Sequence, residues 1–329
     1  MRITILFGGT NRERLVSVAS AQAVAAALPQ ADLWFQAPDG RVHEADRARL
    51  FAHQRPFELD FPADGPLIGD IAEAFDRAVA EDRVIVLVQH GGPAENGEMA
   101  ALAEARGVAF TGSGAAASRL AFDKAATKDV VSKLGVTVPP TVSVETAPQD
   151  LARHGRLVAK PVAEGSSYGL IFVNGPDDLA RLAEAAKREA YLVEPFIAGA
   201  EATCAVLEQV DGSLIALPPI EIVPAEGAFD YAGKYLASTT QEICPARFGD
   251  AVNAALQADA LKAHRAVGAM GYSRSDFIVT PTGVVFLEIN TLPGLTKASL
   301  YPKALGVEGI GFADFLAGQI ALAERRAAR

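Results

Sequence analysis

Asp276, Glu288 and Asn290 are residue types that hold a hard, oxygen-seeking cation, and Arg274 beside them brings a fixed positive charge. Mg²⁺ is commonly bound by one or two carboxylates, with waters and substrate phosphates completing its octahedron. Their positions let strand geometry bring them together. Tyr272–Val279 and Val284–Asn290 are rich in β-branched and aromatic residues and flank Pro281-Thr282-Gly283, the composition of a hairpin with a three-residue loop and Gly at the left-handed position. If Thr280 pairs with Val284, Asp276 falls opposite Glu288 and Arg274 opposite Asn290, and all four side chains share one face. The other face then carries Phe277, Val279, Val285, Leu287 and Ile289, an apolar set suited to a core. An exposed sheet face with ordinary charged residues fits this hairpin equally well when it is taken alone.

Other segments carry groups of the same kind. Lys160 ends an apolar run and is followed by Glu164-Gly165-Ser166-Ser167-Tyr168-Gly169, whose backbone N–H groups and hydroxyls suit phosphates as well as a plain turn. No Walker motif is present, since that requires Gly-Lys-Ser/Thr. Tyr191–Glu194 is an apolar run ending in an acid, followed by Pro195-Phe196-Ile197 and Glu201, which suits either a flat base and its ribose or an ordinary strand and turn. His90-Gly91-Gly92 and Gly8-Gly9-Thr10-Asn11-Arg12-Glu13 each follow a strand-like run, where open α/β sheets place ligand groups. The missing G-x-G-x-x-G argues against a dinucleotide enzyme. Glu226–Thr240, which contains Lys234 and Tyr235, has little periodicity and suits a lid or a surface loop.

The elements needed to position these groups are visible as patterns. Met1–Phe7, Ala31–Gln36 and Arg83–Gln89 are expected strands, with helices at Val16–Ala27, Ile68–Ala80 and Glu98–Arg106, which makes a βα layer with a parallel sheet. Pro38–Gly65 stays unassigned. Asp123–Leu134 is an expected helix with Asp123 as N-cap and Gly135 beyond its end. An α+β unit follows, with strands at Thr141–Val144, Arg156–Lys160, Gly169–Val173, Tyr191–Glu194 and Ala200–Glu208 and a helix at Pro176–Glu189. The last unit holds a helix at Ala251–Met270, the hairpin and a helix at Gly311–Arg325. This divides the 329 residues into units at 1–118, 119–211 and 212–329.

Composition narrows the function classes. A net charge of −10 argues against a general nucleic-acid-binding surface, and no apolar run is long enough to span a bilayer. The opening residues are expected to be a first strand and not a signal peptide. Cys204 and Cys244 lack metal-ligand spacing and fit a reducing cytoplasm.

Taken in order, the segments GGTNRERLVS from Gly8, HGGPAENG from His90, FTGSG from Phe110, FDKAATK from Phe122, AKPVAEGSSYG from Ala159, DYAGKY from Asp230, GYSRSDF from Gly271 and LEINTLPGLTKASLYP from Leu287 resemble the D-alanine–D-alanine ligases of the ATP-grasp superfamily. The resemblance covers nearly the whole chain. It implies an α/β and α+β, three-domain ATP-grasp architecture with an N-terminal parallel-sheet domain. It also implies a cytoplasmic homodimer that ligates two D-alanines through an acyl phosphate for peptidoglycan synthesis. ATP would lie between the central and C-terminal units. Lys124 and Lys160 would meet its phosphates, Glu164, Gly165, Ser166 and Ser167 would cover them, Glu194 and Ile197 would sit at the adenine, and Glu201 would hold the ribose. Asp276, Glu288 and Asn290 would bind two Mg²⁺ ions, or Mn²⁺ in their place. Lys234 would act at the phosphoryl group, and Arg274 with the Gly294 N–H would form an oxyanion hole.

On the amino-acid side, the resemblance places Glu13 at the first substrate's ammonium and His90 near its carboxylate. It joins Glu13, Ser166 and Tyr235 in one hydrogen-bonded set and puts Ser299 and Leu300 at the second D-alanine. Ester-forming relatives usually have Phe at the Tyr235 position, so Tyr235 implies an amine nucleophile. The chain departs from the family pattern at Ala94-Glu95-Asn96-Gly97, where Gly-Glu-Asp-Gly is usual, at Leu15, where an acid is common, and at Lys297, where a small polar residue is common. Two alternatives follow: an ATP-grasp ligase with another amino or hydroxy acid, and a nucleotide-binding sensor without catalysis.

Overall fold

The structure is a computed structural model that describes residues 1–162, 168–224 and 240–328. Its first sheet has six strands in the order Leu67–Gly69, Val42–Glu44, Asp32–Gln36, Arg2–Gly8, Arg83–Leu87 and Ala109–Phe110. Arg2–Gly8 and Arg83–Leu87 are almost wholly buried β-branched runs, the pattern of parallel strands covered on both faces. The sheet is not purely parallel as expected. Pro38–Gly65, unassigned from the sequence, supplies Val42–Glu44 and the helix Arg47–Ala52, and Val42–Glu44 pairs antiparallel with both Asp32–Gln36 and Leu67–Gly69. The expected helix from Ile68 starts at Ile71 because Asp70 and Glu73 form a capping box, which leaves Leu67–Gly69 to the edge. Arg2–Gly8 lies between Asp32–Gln36 and Arg83–Leu87, so the loops leaving its end and that of Arg83–Leu87 open at a topological switch point.

The second sheet is antiparallel, in the order Gln241–Ile243, Ile220–Val223, Ala200–Glu208, Tyr272–Thr280 and Gly283–Asn290, with Leu214–Ala216 also on Ala200–Glu208. Ala200–Glu208, expected in the central unit, pairs along its length with Tyr272–Thr280. The helices Lys124–Ser132 and Asp250–Val267 cover this sheet, and Val131, Ala202, Cys204, Leu256, Phe277 and Phe286 form their shared core. The third sheet, also antiparallel, has the order Ile171–Val173, Leu157–Pro161, Tyr191–Pro195. The expected strand Thr141–Val144 is reduced to one bridge between Val142 and Val193.

In the hairpin, Asp276 lies opposite Glu288 and Arg274 opposite Asn290, as side-chain parity requires. The turn differs from expectation. Thr280 pairs with Gly283, so the loop is the two residues Pro281-Thr282, and the register shifts by one between Asp276 and Phe277, where Leu287 is passed over. Turnward of this bulge the faces are exchanged. Phe286 and Val284 are buried with Phe277, while Val285 and Leu287, expected in the core, are only half-buried. The Phe277 and Phe286 rings meet edge to face with centroids 5.7 Å apart.

Candidate active site

The site forms where the hairpin, the helix Lys124–Ser132, the three-stranded sheet and the two switch-point loops converge. On the hairpin, Arg274 grips Asp276 with both arms, Nε to Oδ1 at 3.0 Å and Nη2 to Oδ2 at 3.1 Å. Thr203, opposite Asp276 on the neighbouring strand, donates to the same Oδ1 at 2.6 Å. Glu288 Oε2 lies 3.6 Å from Lys124 Nζ. Asn290 Oδ1 accepts from the Leu292 N–H at 2.7 Å, which fixes the chain as it leaves the strand. Among the described residues, no group of three or more His, Cys, Asp or Glu side chains is arranged to hold a metal. The donors at the hairpin are instead two carboxylates and one carboxamide, all oxygen, a set that suits a Mg²⁺ ion sharing its coordination with phosphates.

Asp123 caps the next element, accepting from the Ala126 N–H at 2.9 Å as its type and position lead one to expect. Lys124 and Lys128, one turn apart, therefore emerge on one face of that helix. Alternation in the three-stranded sheet puts Leu157, Ala159 and Val193 into a core and leaves Lys160 and Glu194 on the opposite face. Glu194, 3% exposed, is held by Lys128 at Oε1 and by Lys160 at Oε2, the latter at 3.2 Å. Burial, then the adjacent Lys160 ammonium, pushes the Lys128 pKa down, while Glu288 and the direct Glu194 contact oppose this. Lys160 is also lowered, by burial first, with Glu288 opposing.

The other side of the site is built by the two loops. Asn11 ties them together, donating to the His90 carbonyl at 2.9 Å while its Oδ1 accepts from the Glu13 N–H at 2.8 Å. Gly91 has φ +67°, and a Cβ there would lie 2.4 Å from Glu13 Oε2, so this position requires glycine while Glu13 stays where it is. His90 is buried, with Nε2 3.0 Å from Ser20 Oγ. Burial lowers its pKa to about 4, and the Arg274 guanidinium adds to this. Glu95 accepts from the Gly91 N–H at 3.0 Å, and its carboxyl is pushed up to about 8 by burial and then by the Glu13 carboxylate. Beyond the hairpin, a Cβ on Gly294 would lie 2.9 Å from Ser299 Oγ, which is itself 2.7 Å from Thr296 Oγ1. Leu300 packs half-buried, at the start of the helix Leu300–Glu308, against the core that the first sheet shares with the C-terminal helices.

The comparisons with known proteins place this arrangement in a family. Residues 2–113 match the family model described as D-ala D-ala ligase N-terminus, and residues 154–321 match D-ala D-ala ligase C-terminus. The chain belongs to the D-Ala–D-Ala ligase family. The D-alanine–D-alanine ligase of Desulforudis audaxviator is 36% identical, over 99% of this chain and 99% of its own length. That of Oleidesulfovibrio alaskensis is 38% identical, over 97% and 95%. Among solved structures, the VanG D-Ala:D-Ser ligase of Enterococcus faecalis is 28% identical with a TM-score of 0.78, covering 98% of this chain and 99% of that one. The D-alanine–D-alanine ligase of Coxiella burnetii, at 24% identity, has the same fold with a TM-score of 0.81, covering 100% and 95%.

Within this ligase framework the hairpin residues, Lys124 and Lys160 stand together, and so do Glu13 and His90. Glu194 lies among lysines, Ile197 is half-buried just after its strand, and Glu201 is half-buried on Ala200–Glu208. Glu164, Gly165, Ser166, Ser167, Lys234 and Tyr235 lie outside the described residues. Arg12 reaches the edge of that first segment, donating to the Tyr168 hydroxyl at 2.8 Å with its guanidinium 5.1 Å from the ring centre. Two site residues had no role assigned from the sequence. Lys128 could have been found from its four-residue spacing to Lys124, which puts both on one helix face. Glu95 matches the Glu of the usual Gly-Glu-Asp-Gly, but its burial against Glu13 depends on two loops far apart in sequence.

Proposed function

We propose that the chain catalyses ATP-dependent ligation of two D-alanine molecules to D-alanyl-D-alanine, supplying peptidoglycan synthesis. The observation that carries this reading is the convergence, in a chain matching the family at both ends, of Lys124, Lys160, Arg274, Asp276 and Glu288 on one site that the Glu13–His90 loops adjoin. The carboxylate of the first D-alanine attacks the γ-phosphorus of ATP, ADP leaves, and an acyl phosphate forms. The amine of the second D-alanine then adds to the acyl carbon, and inorganic phosphate leaves.

Each group answers a charge in that sequence. Lys124 and Lys160 neutralise phosphates, joined by Lys234, and the Glu164–Ser167 segment covers them. Asp276, Glu288 and Asn290 would hold Mg²⁺, which stabilises negative charge on the transferring phosphoryl group. Arg274 and the Gly294 N–H stabilise the acyl oxygen, and the grip of Arg274 on Asp276 links the metal side to the acyl side. Glu13 anchors the first ammonium with Ser166 and Tyr235 in its network, His90 lies near the first carboxylate, and Ser299 and Leu300 line the second site. Glu194 and Ile197 adjoin the adenine, and Glu201 the ribose. We place the enzyme in the cytoplasm as a homodimer. Among the described residues no single helix is long and apolar enough to cross a membrane.

The test is formation of ADP and dipeptide from ATP, Mg²⁺ and D-alanine, with Glu288→Gln as the control expected to lose turnover. ADP release without dipeptide, or normal turnover in the variant, would sink the reading. A second reading, in which another amino acid is the second substrate, is favoured by Lys297, exposed between Thr296 and Ser299. Running the same assay with D-serine or D-lactate beside D-alanine separates the two.

A further inference from the structure

Glu194 is the buried carboxylate between a buried lysine, Lys128, and a half-buried one, Lys160, which come from different layers of the fold. Lys160 shares its face of the three-stranded sheet, whereas Lys128 comes from the helix Lys124–Ser132, which packs on the second sheet. The Lys124 N–H, which donates to the Val162 carbonyl at 3.4 Å, ties the start of that helix to the end of the Lys160 strand. Each carboxylate oxygen has its own lysine, so neither lysine has the carboxylate to itself.

We propose that Lys128 is a positioning residue for Lys160: by occupying Oε1 of Glu194 it leaves the Lys160 ammonium incompletely neutralised and available to a polyphosphate. Without Lys128, Glu194 and Lys160 form a neutral pair, and the buried Oε1 loses its partner. A buried carboxylate with one empty oxygen draws its remaining ammonium toward itself, because an unpaired buried acceptor is costly. The charge that should meet phosphate is then spent inside the protein. Lys128 need not touch the nucleotide for this to operate, since its contact is with Glu194. The inference rests on the proposed use of a nucleotide triphosphate at this site.

The experiment measures binding of ADP and of adenosine to the whole chain by titration calorimetry, without turnover. Lys128→Met should weaken ADP binding about tenfold more than it weakens adenosine binding, which also senses Glu194 at the adenine, because one partly desolvated charge interaction with phosphate is lost. Lys128→Arg should restore most of the ADP affinity. If the Met variant does not fold, Lys128→Gln, which offers Oε1 a hydrogen bond but no charge, should show the same selective loss in smaller degree. Equal weakening of ADP and adenosine would mean that Lys128 only holds the fold, and unchanged ADP binding would mean that it does nothing for Lys160. Both overturn the proposal. A wild-type protein that binds no ADP overturns the nucleotide reading itself, and this inference with it.

Discussion

Replacing Glu95 by Gln should stabilise the protein at neutral pH and change little at about pH 4, where the carboxyl is protonated whether the chain is folded or not. The carboxyl is buried beside Glu13, and its value rises from 4.5 to about 8 in the folded protein. Between those limits the folded state keeps a proton that the unfolded chain has released, so stability falls as pH rises through this window. By pH 7 the loss amounts to about 3 kcal/mol, or roughly 6–12 °C in thermal midpoint for a cooperative unit of 150–250 residues. Gln cannot ionise, and its Oε1 can still accept from the Gly91 N–H, so it removes the penalty without removing that bond. The assay is thermal unfolding of both proteins over a pH series. The difference between them cancels the titrating groups that do not interact with Glu95, leaving its coupling to Glu13, and should grow from about pH 4.5 to pH 8, then level off. A difference that is the same at pH 5 and pH 8 would refute the reasoning. Because the Glu13 carboxylate contributes to the rise, Glu13→Gln should reduce the same slope.

Phe286→Ala should cost about 3–5 kcal/mol and Leu287→Ala about 1 kcal/mol, since only the first side chain is fully buried. Thermal midpoints that rank the two in the opposite order would rule out the bulge. In acid, His90 and His264 act with the opposite sign to Glu95: burial lowers both from 6.5 to about 4. The unfolded chain protonates first, so the stability they contribute is lost as pH falls from 6.5 toward 4. His264→Gln should flatten that fall, and an unchanged midpoint profile between pH 6.5 and 4 would contradict it.

Local chemistry announced much of this fold. The buried β-branched runs bounded by Gly8-Gly9 and His90-Gly91, and the cap at Asp123, needed only residue types and spacing. Side-chain parity placed Asp276 opposite Glu288 and Arg274 opposite Asn290, although the turn expected from Pro281-Thr282-Gly283 was one residue too long. What stayed hidden depends on distant partners. Ala200–Glu208 finds its neighbour some seventy residues on, and Lys128 is separated from Glu194 by 66 positions. A lysine within a helix looks solvent-facing until the sheet that covers it is known. Val285 and Leu287 were placed in the core because simple alternation has no means of registering a skipped residue.

That skipped residue separates the tip of the hairpin from its base. A two-residue tip with Leu287 left out and a three-residue tip with none left out present the same four polar side chains in the same pairings. The length of the tip is thus free to change by one residue, provided the bulge disappears or returns with it. A one-residue deletion at the tip would be absorbed by taking Leu287 back into the ladder, whereas a deletion between Leu287 and Asn290 has no such slack to draw on. Loop grafting or tagging at Pro281-Thr282 should accordingly leave Asp276 and Glu288 in place, which makes this tip the natural point of attachment for a probe that must report on the site without disturbing it.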